Sequence, residues 1–317
     1  MYFTTETMQE ILPMLQAILK ERDEVSFEVL NPDVAQGYAG TPIHIGKTTY
    51  LYRGYKAWTD LAELLYARML TPKETTYPLV KLSFKKLSKT HSFHHDAKEC
   101  EKYGSTSHFW QLYKMEEPAF LYYYTQALEN VTVAQRTNIL NLGVNRADEF
   151  DVIRKHLDTQ TYQNLSLTGI DHSRSAIAYA KEHFKGENVH FYVEDINKID
   201  SLGLGKFDLL ISIGTLQSPS IPFKPFFMHL VQHYLKEESA IILGFPNARW
   251  IDGELIYGAK APNYAMNEMS LLLSDIIFCK KYLQQKRYRV TITGKQYLFL
   301  TATKILTKTK KSPTINQ

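Results

Sequence analysis

Apolar residues change their spacing along this chain near Arg136. Before that point Met8, Ile11, Leu12, Leu15, Ile18 and Leu19 recur at helical intervals, which predicts an amphipathic helix that Pro13 should kink or delay. Leu61, Leu64, Leu65 and Met69 predict a second helix, stopped by Pro72. Glu116 to Leu128 predicts a third, with Pro118 near its first turn, where the missing N–H costs nothing. Ile43-His44-Ile45, a Gly46-Lys47 turn and Thr48 to Tyr52 read as a small hairpin. Strand and helix do not alternate here, and the expectation for residues 1–130 is a mainly helical region.

After Arg136 short apolar runs alternate with helical stretches. The strands expected are Ile139 to Gly143, Leu165 to Ile170, Val189 to Val193, Phe207 to Gly214 and Ser239 to Phe245. The helices expected are Asp148 to Leu157, Arg174 to Phe184, Pro225 to Leu235 and Met266 to Gln284. This alternation implies an α/β fold, a mostly parallel sheet with helices on both faces. Arg287 to Thr293 and Gln296 to Ile305, joined at Gly294-Lys295, predict a terminal antiparallel hairpin. The chain thus divides into a helical region, 1–130, an α/β domain, 131–306, and a polar tail, 307–317, expected to be disordered.

Charge changes this picture little. The net charge is +4, but residues 1–130 hold 14 basic against 16 acidic side chains, and the tail after residue 300 holds 4 against none. A basic excess held mostly in a tail does not support nucleic-acid binding. Two cysteines, Cys100 and Cys279, are too few for a disulfide framework, and reduced thiols in the cytoplasm are the simpler expectation. The first residues lack the basic and apolar segments of a signal peptide, and no apolar run is long enough to span a membrane. Oligomeric state is not legible.

The chemistry lies where the strands end. Gly143 closes the first strand, and a glycine there lets the backbone turn sharply and approach a ligand. Asn141-Leu142-Gly143-Val144-Asn145-Arg146-Ala147-Asp148 is not a G-x-G-x-x-G loop, however. Asp148 and Glu149 also compete for the positive end of the following helix, so a pyrophosphate is poorly matched. The same residues also fit a plain strand–turn–helix corner. Asp171 ends the second strand, where a carboxylate can accept hydrogen bonds from both ribose hydroxyls, or else cap the next helix, a role Ser173 can fill instead. Asp195 follows the third strand; with the backbone N–H of Ile196 it can read the amino group and ring nitrogen of adenine, or simply open a turn.

These features in this order resemble the class I S-adenosylmethionine-dependent methyltransferases, over about residues 136–306. The resemblance is carried by Ile139 to Gly143, Gly169-Ile170-Asp171, Glu194-Asp195-Ile196, Phe207 to Ser212 and the closing hairpin. It implies a Rossmann-like sheet, S-adenosylmethionine as cofactor and in-line methyl transfer. It further implies that Gly143 passes under the methionine part of the cofactor, Asp171 holds the ribose, Asp195 and Ile196 the adenine, and Ser212 to Gly214 form the floor near the methyl group. Asn141, Asn145 and His172 border the same edge. Asn145 and Arg146 stand where the family usually has further glycines, so the methionine end is expected to be held differently.

The acceptor is less legible. Tyr103 and Trp110 precede the first strand and are lid candidates. Gln217, in the loop after the fourth strand, and Asn247, Arg249, Trp250 and Tyr257, after the fifth, supply amides, a guanidinium and aromatic faces suited to a planar or anionic acceptor. Ile213-Gly214-Thr215-Leu216 replaces the D/N-P-P-Y/F/W motif of amino-methylating nucleic-acid enzymes, which disfavours that subclass. His172, Asn247 and Tyr257 are the only guesses for a general base. His91, His94, His95, Cys100 and His108 lack the companion residues of a metal motif, so no metal is expected. A small-molecule acceptor is favoured. The alternatives are a non-catalytic methyltransferase-like binding module and a nicotinamide-dependent oxidoreductase, the latter opposed by the missing glycines.

Overall fold

The computed structural model describes residues 1–87, 101, 103–246, 249–251, 254–256, 270–295 and 297–305. It forms two compact units, Met1–Ser92 with Trp250–Leu255, and Phe93–Arg249 with Ile256–Gln317.

The first unit begins with helix α1, Met8–Glu21, which buries Ile11, Leu15 and Leu19. The Glu10 carboxylate accepts from the Thr7 N–H at 2.7 Å, satisfying one of the orphan donors of the first turn. The helix begins at Met8 and contains Pro13, so Pro13 does not delay it. A larger correction follows, because the region is not mainly helical. Strands β1 (Glu24–Leu30), β4 (Ala67–Met69), β5 (Lys73–Glu74) and β6 (Leu79–Lys86) form an antiparallel sheet with β6 pairing to the other three. Val80, Leu82 and Phe84 are buried while Lys81 and Lys85 are exposed, a period-two pattern. Those two lysines are therefore on the wet face of the strand. Helix α2, Tyr55–Leu64, packs Trp58 and Leu61 into the same core as Phe27 and Phe84. Strands β2 (Pro42–Ile45) and β3 (Thr48–Leu51) form the expected hairpin.

The second unit opens with helix α3, Pro118–Asn130. Then come β7 (Asn138–Leu142), α4 (Asp148–His156), α5 (Thr159–Gln163), β8 (Ser166–Asp171), α6 (Arg174–His183), β9 (Val189–Val193) and β10 (Phe207–Ile213). Helix α7, Phe223–His229, leads into β11, Leu235–Pro246. A short hairpin, β12 (Arg249–Ile251) with β13 (Glu254–Ile256), lies mostly in the first unit, and the second unit resumes with helix α8, Ser270–Gln285, and strands β14 (Tyr288–Gly294) and β15 (Tyr297–Lys304). The sheet order is β14-β15-β11-β10-β7-β8-β9, with β7 to β11 parallel and β15 antiparallel to both its neighbours. This is the predicted mostly parallel sheet with an antiparallel hairpin at its end.

Strand alternation splits the core between the two faces. Leu140, Leu142, Leu210, Ile241 and Leu243 pack with α7 and α8, through Phe227, Leu230, Ile276 and Leu283. Ile139, Leu209, Ile211, Ile213 and Ile242 pack on the other face with α3, α4 and α6, through Tyr124, Phe150 and Ile177. Strands β7, β8 and β10 are thus buried on both faces, as parallel strands require, whereas the edge strands β9 and β14 keep exposed residues.

Candidate functional site

The carboxyl ends of β9, β8, β7 and β10 lie in that order along one edge of the sheet. Ligands of open α/β sheets bind beyond such an edge. The turn leaving β7 carries three residues with positive φ: Gly143 at 72°, Asn145 at 46° and Ala147 at 67°. The chain therefore adopts a left-handed turn of the kind glycines favour, with asparagine and alanine at two of the three positions. Asparagine tolerates that region, whereas alanine is held there against a cost of about 1–2 kcal/mol. Ala147 is offset by its N–H to the Val144 carbonyl at 2.8 Å and by its own complete burial. A side chain at Gly143 would place its Cβ 1.9 Å from Thr215 Oγ1, so this glycine lets the loop after β10 close on the turn after β7.

Asp171 joins two of these turns. Its Oδ2 accepts from the Asn145 N–H and its Oδ1 from the Ser173 N–H, each at 2.9 Å. Ser173, not Asp171, caps α6, through Oγ to the Ala176 N–H. The carboxyl is 5% exposed; burial pushes its pKa up, opposed by the two N–H donors and by His172, whose Nδ1 stands 3.5 Å away. Each carboxylate oxygen keeps acceptor capacity beyond these bonds. The His172 side chain is half exposed.

The stretch from Glu101 to Glu117 is fastened along the same edge. The Glu101 carboxylate accepts from Ser173 Oγ and from the Arg174 N–H at 3.1 Å. The Tyr103 carbonyl accepts from Asn145 Nδ2 at 2.8 Å, and its ring lies 6.3 Å from His172. Burial, and then the nearby Asp171, raise the Tyr103 hydroxyl above its ordinary pKa. Arg146 is 5% exposed and is spent on this stretch. It donates to the carbonyls of Trp110 at 2.7 Å and Leu112 at 2.8 Å, pairs with Asp148 at 2.8 Å, and lies 3.8 Å over the Tyr113 ring. The Trp110 ring meets Tyr179 edge-on at 5.2 Å. Asn145 and Arg146 are thus the fasteners of the segment that carries both lid candidates.

A second polar group lies between β7 and α4. Glu149 is on the buried face of α4, with Phe150 and Ile153. Burial pushes its carboxyl pKa up to about 7, opposed by the Lys114 charge and reinforced by Asp148. The Asn141 amide lies close enough to favour its ionised form, although Nδ2 makes no hydrogen bond of standard geometry among the described residues. Among the described residues Asn141 Nδ2 has no hydrogen-bond partner, though Asn141 is only 1% exposed. Gln217 Oε1, in the loop leaving β10, is likewise buried and unmatched among the described residues. Sequence reasoning misses Glu149. Its signal is an acidic residue four before Ile153, on the face that should be apolar.

The other expected residues fall as follows. Asp195 is exposed and accepts from the N–H and Nδ2 of Asn197, both at 3.0 Å, while Ile196 is buried. Ser212 is buried and donates to the Leu142 carbonyl at 3.4 Å. Gly214, with φ of 75°, leaves room for the Tyr297 hydroxyl, which would stand 2.6 Å from an added Cβ. Arg249 and Trp250 lie on β12. Asn247 and Tyr257 lie outside the described residues, as do His91, His94, His95, Cys100 and the tail. Among the described residues no group of histidine, cysteine and carboxylate side chains is placed to hold a metal. No helix among them is long and apolar enough to cross a membrane.

Comparison with known proteins follows the same division of the chain. A family model described as a methyltransferase domain matches residues 134–293. Among solved structures the chain is similar to the plantazolicin methyltransferase BpumL in complex with SAH, at 14% identity and a TM-score of 0.45, over 61% of this chain and 88% of that one. It is similar to the CurJ carbon methyltransferase at 17% identity and a TM-score of 0.41, over 64% and 57%. It is also similar to a TehB-like SAM-dependent methyltransferase from Corynebacterium glutamicum at 15% identity and a TM-score of 0.38, over 57% and 87%. No curated protein sequence matches. The family match spans just over half of the 317 residues and takes in β7 to β11 with their turns, so the chain belongs to the methyltransferase domain family and is an S-adenosylmethionine-dependent methyltransferase.

Proposed function

We propose that the protein transfers the methyl group of S-adenosylmethionine to a small-molecule acceptor, using the carboxyl edge of β7 to β10. The cofactor supplies an electrophilic methyl on a sulfonium sulfur. In this reading Asp171 and His172 hold the ribose end, and Asp195 with the Ile196 N–H the adenine. Asn141, Gly143 and Asn145 border the methionine end, and Ser212 to Gly214 form the floor beneath the reacting atoms. The residues fit such a ligand. The Asp171 carboxylate is held by two backbone N–H groups in one orientation, with acceptor capacity left for hydroxyls. Asn141 Nδ2 and Gln217 Oε1 are a buried donor and a buried acceptor that a polar ligand would satisfy.

The observation that carries the reading is Asp171, a buried carboxylate that ties the turn after β7 to the turn after β8. The chain's contribution to rate is then alignment, which in well-oriented systems is worth up to about 7–11 kcal/mol. A small acceptor is supported by the fastening of Tyr103 and Trp110 along this edge, which restricts access, and by the absence of a basic excess in residues 1–130. Tyr103, Trp110 and Gln217 are its proposed contacts. A cytoplasmic location is proposed on the cysteine count alone.

Calorimetric titration with S-adenosylhomocysteine and with NAD tests this reading. Micromolar binding of the first, lost in Asp171→Ala, is expected, with no binding of the second. A folded protein that binds neither would be a binding module that keeps the fold only. Incubation of a metabolite extract with radiolabelled cofactor then identifies the acceptor as the product that gains label.

A further inference from the structure

Glu149 is a buried acid that the proposed cofactor contacts leave unused. It sits two residues past Ala147, where the turn after β7 becomes α4, and so borders the same edge as Asn141. Its neighbours come from four elements. Lys114 approaches from the stretch before α3, Asp148 adjoins it on α4, and the Tyr124 hydroxyl, from α3, donates to its backbone carbonyl at 3.3 Å. The Asn141 amide faces it from β7 with Nδ2 unmatched. Buried acids are costly unless paired or bonded, and buried donors are normally satisfied. This corner holds an acid, a donor with no hydrogen bond among the described residues, and a cation. That set is complementary to a zwitterion, with a carboxylate for the Asn141 amide and an ammonium for the carboxylate of Glu149.

The order of strands says which ligand part would reach it. Asp195 follows β9, Asp171 ends β8, and Asn141 with Glu149 lies at β7 and the turn beyond, so the three stand in sequence along the edge. A nucleoside on the two aspartates leaves the amino-acid end for the third position. We infer that Glu149 receives the α-ammonium group of the cofactor's methionine end, as a binding residue outside the strand ends, with Asn141 completing that corner. This rests on the cofactor reading above. It assigns to the start of α4 the grip that the replaced glycines do not supply. It also makes affinity depend on pH. Glu149 has to lose its proton to act, and burial holds that proton until about pH 7.

The test is calorimetric titration of S-adenosylhomocysteine, and of its analogue lacking the α-amino group, into wild type and Glu149→Gln between pH 5.5 and 8.5. For wild type and the full ligand, affinity should fall about tenfold for each pH unit below about 7. Removing the amino group should abolish that slope in the unaltered protein, which keeps the test valid if the variant folds poorly. Glu149→Gln should weaken the full ligand at pH 8 by about tenfold or more and leave the analogue unchanged. Equal affinity and equal pH slope in the two proteins, or a slope that persists with the analogue, overturns the inference and leaves the cofactor reading standing. Failure of wild type to bind either ligand at any pH overturns both.

Discussion

The two ends of the central sheet each carry a buried carboxylate, and they treat it differently. At the amino end Asp208 accepts from the N–H groups of Thr137 and Asn138 at 3.1 and 2.9 Å, from the Thr137 hydroxyl, and from Lys236 at 3.3 Å. Every contact is to the protein itself, and the group locks β10 to the entry of β7. At the carboxyl end Asp171 and Glu149 both have pKa values raised by burial, and Asn141 and Gln217 keep unmatched polar atoms. A satisfied polar cluster acts as a clamp, whereas an incompletely satisfied one keeps bonding capacity for a further partner. In the proposed reading the same sheet separates stability from binding by its two edges.

Substitutions can break that contrast. The largest effect is expected at Arg146, whose guanidinium bonds two carbonyls and Asp148 while buried. Arg146→Ala should cost about 3–5 kcal/mol in denaturant unfolding and free the segment of Tyr103 and Trp110 to proteolysis. Arg146→Lys should recover little, because an ammonium cannot hold the same fork of acceptors.

Next is Glu149→Gln, which should stabilise. The folded pKa of about 7 lies above the unfolded value, so this group's contribution to stability is present below the unfolded pKa and lost as pH rises through about 7. The variant has no such loss. Its unfolding free energy should exceed that of wild type by up to about 3 kcal/mol at pH 8, with the difference shrinking toward pH 5. A variant that is less stable at pH 8 would show that the carboxylate serves the fold. Asp208→Asn, at the clamp, should instead cost about 1–3 kcal/mol at neutral pH.

The smallest effect separates conformation from contact. Asn145→Gly keeps the positive φ but loses the bond to the Tyr103 carbonyl, and should cost about 1 kcal/mol. Asn145→Ala loses the bond and adds strain, and should cost about 1 kcal/mol more. Equal melting temperatures for the two variants would remove the strain from the explanation.

How much of this was legible follows from the range of the interactions. The strands from β7 to β10, and the positions of Gly143, Asp171 and Asp195 at their ends, follow from local apolar runs. Capping of α6 by Ser173 is local too, and leaves Asp171 free of that task. The left-handed backbone at Asn145 and Ala147 was not legible, because it depends on partners such as Asp171 and Tyr103 that are remote in sequence. Arg146 read as a lost glycine because its acceptors are carbonyls, which leave no side-chain signature. The sheet of the first unit was obscured for another reason. Strand β6 alternates correctly at Val80, Leu82 and Phe84, but its exposed positions are lysines, which suit an exposed helix face equally well.

The most direct test titrates S-adenosylhomocysteine at pH 8 into wild type, Asp171→Asn and Asp208→Asn, each checked for folding by circular dichroism. Wild type and Asp208→Asn should bind with equal affinity, while Asp171→Asn should lose at least tenfold, because an amide offers the ribose hydroxyls a weaker acceptor. Undiminished binding by Asp171→Asn, or loss in Asp208→Asn alone, would contradict the assignment of the carboxyl edge as the cofactor site.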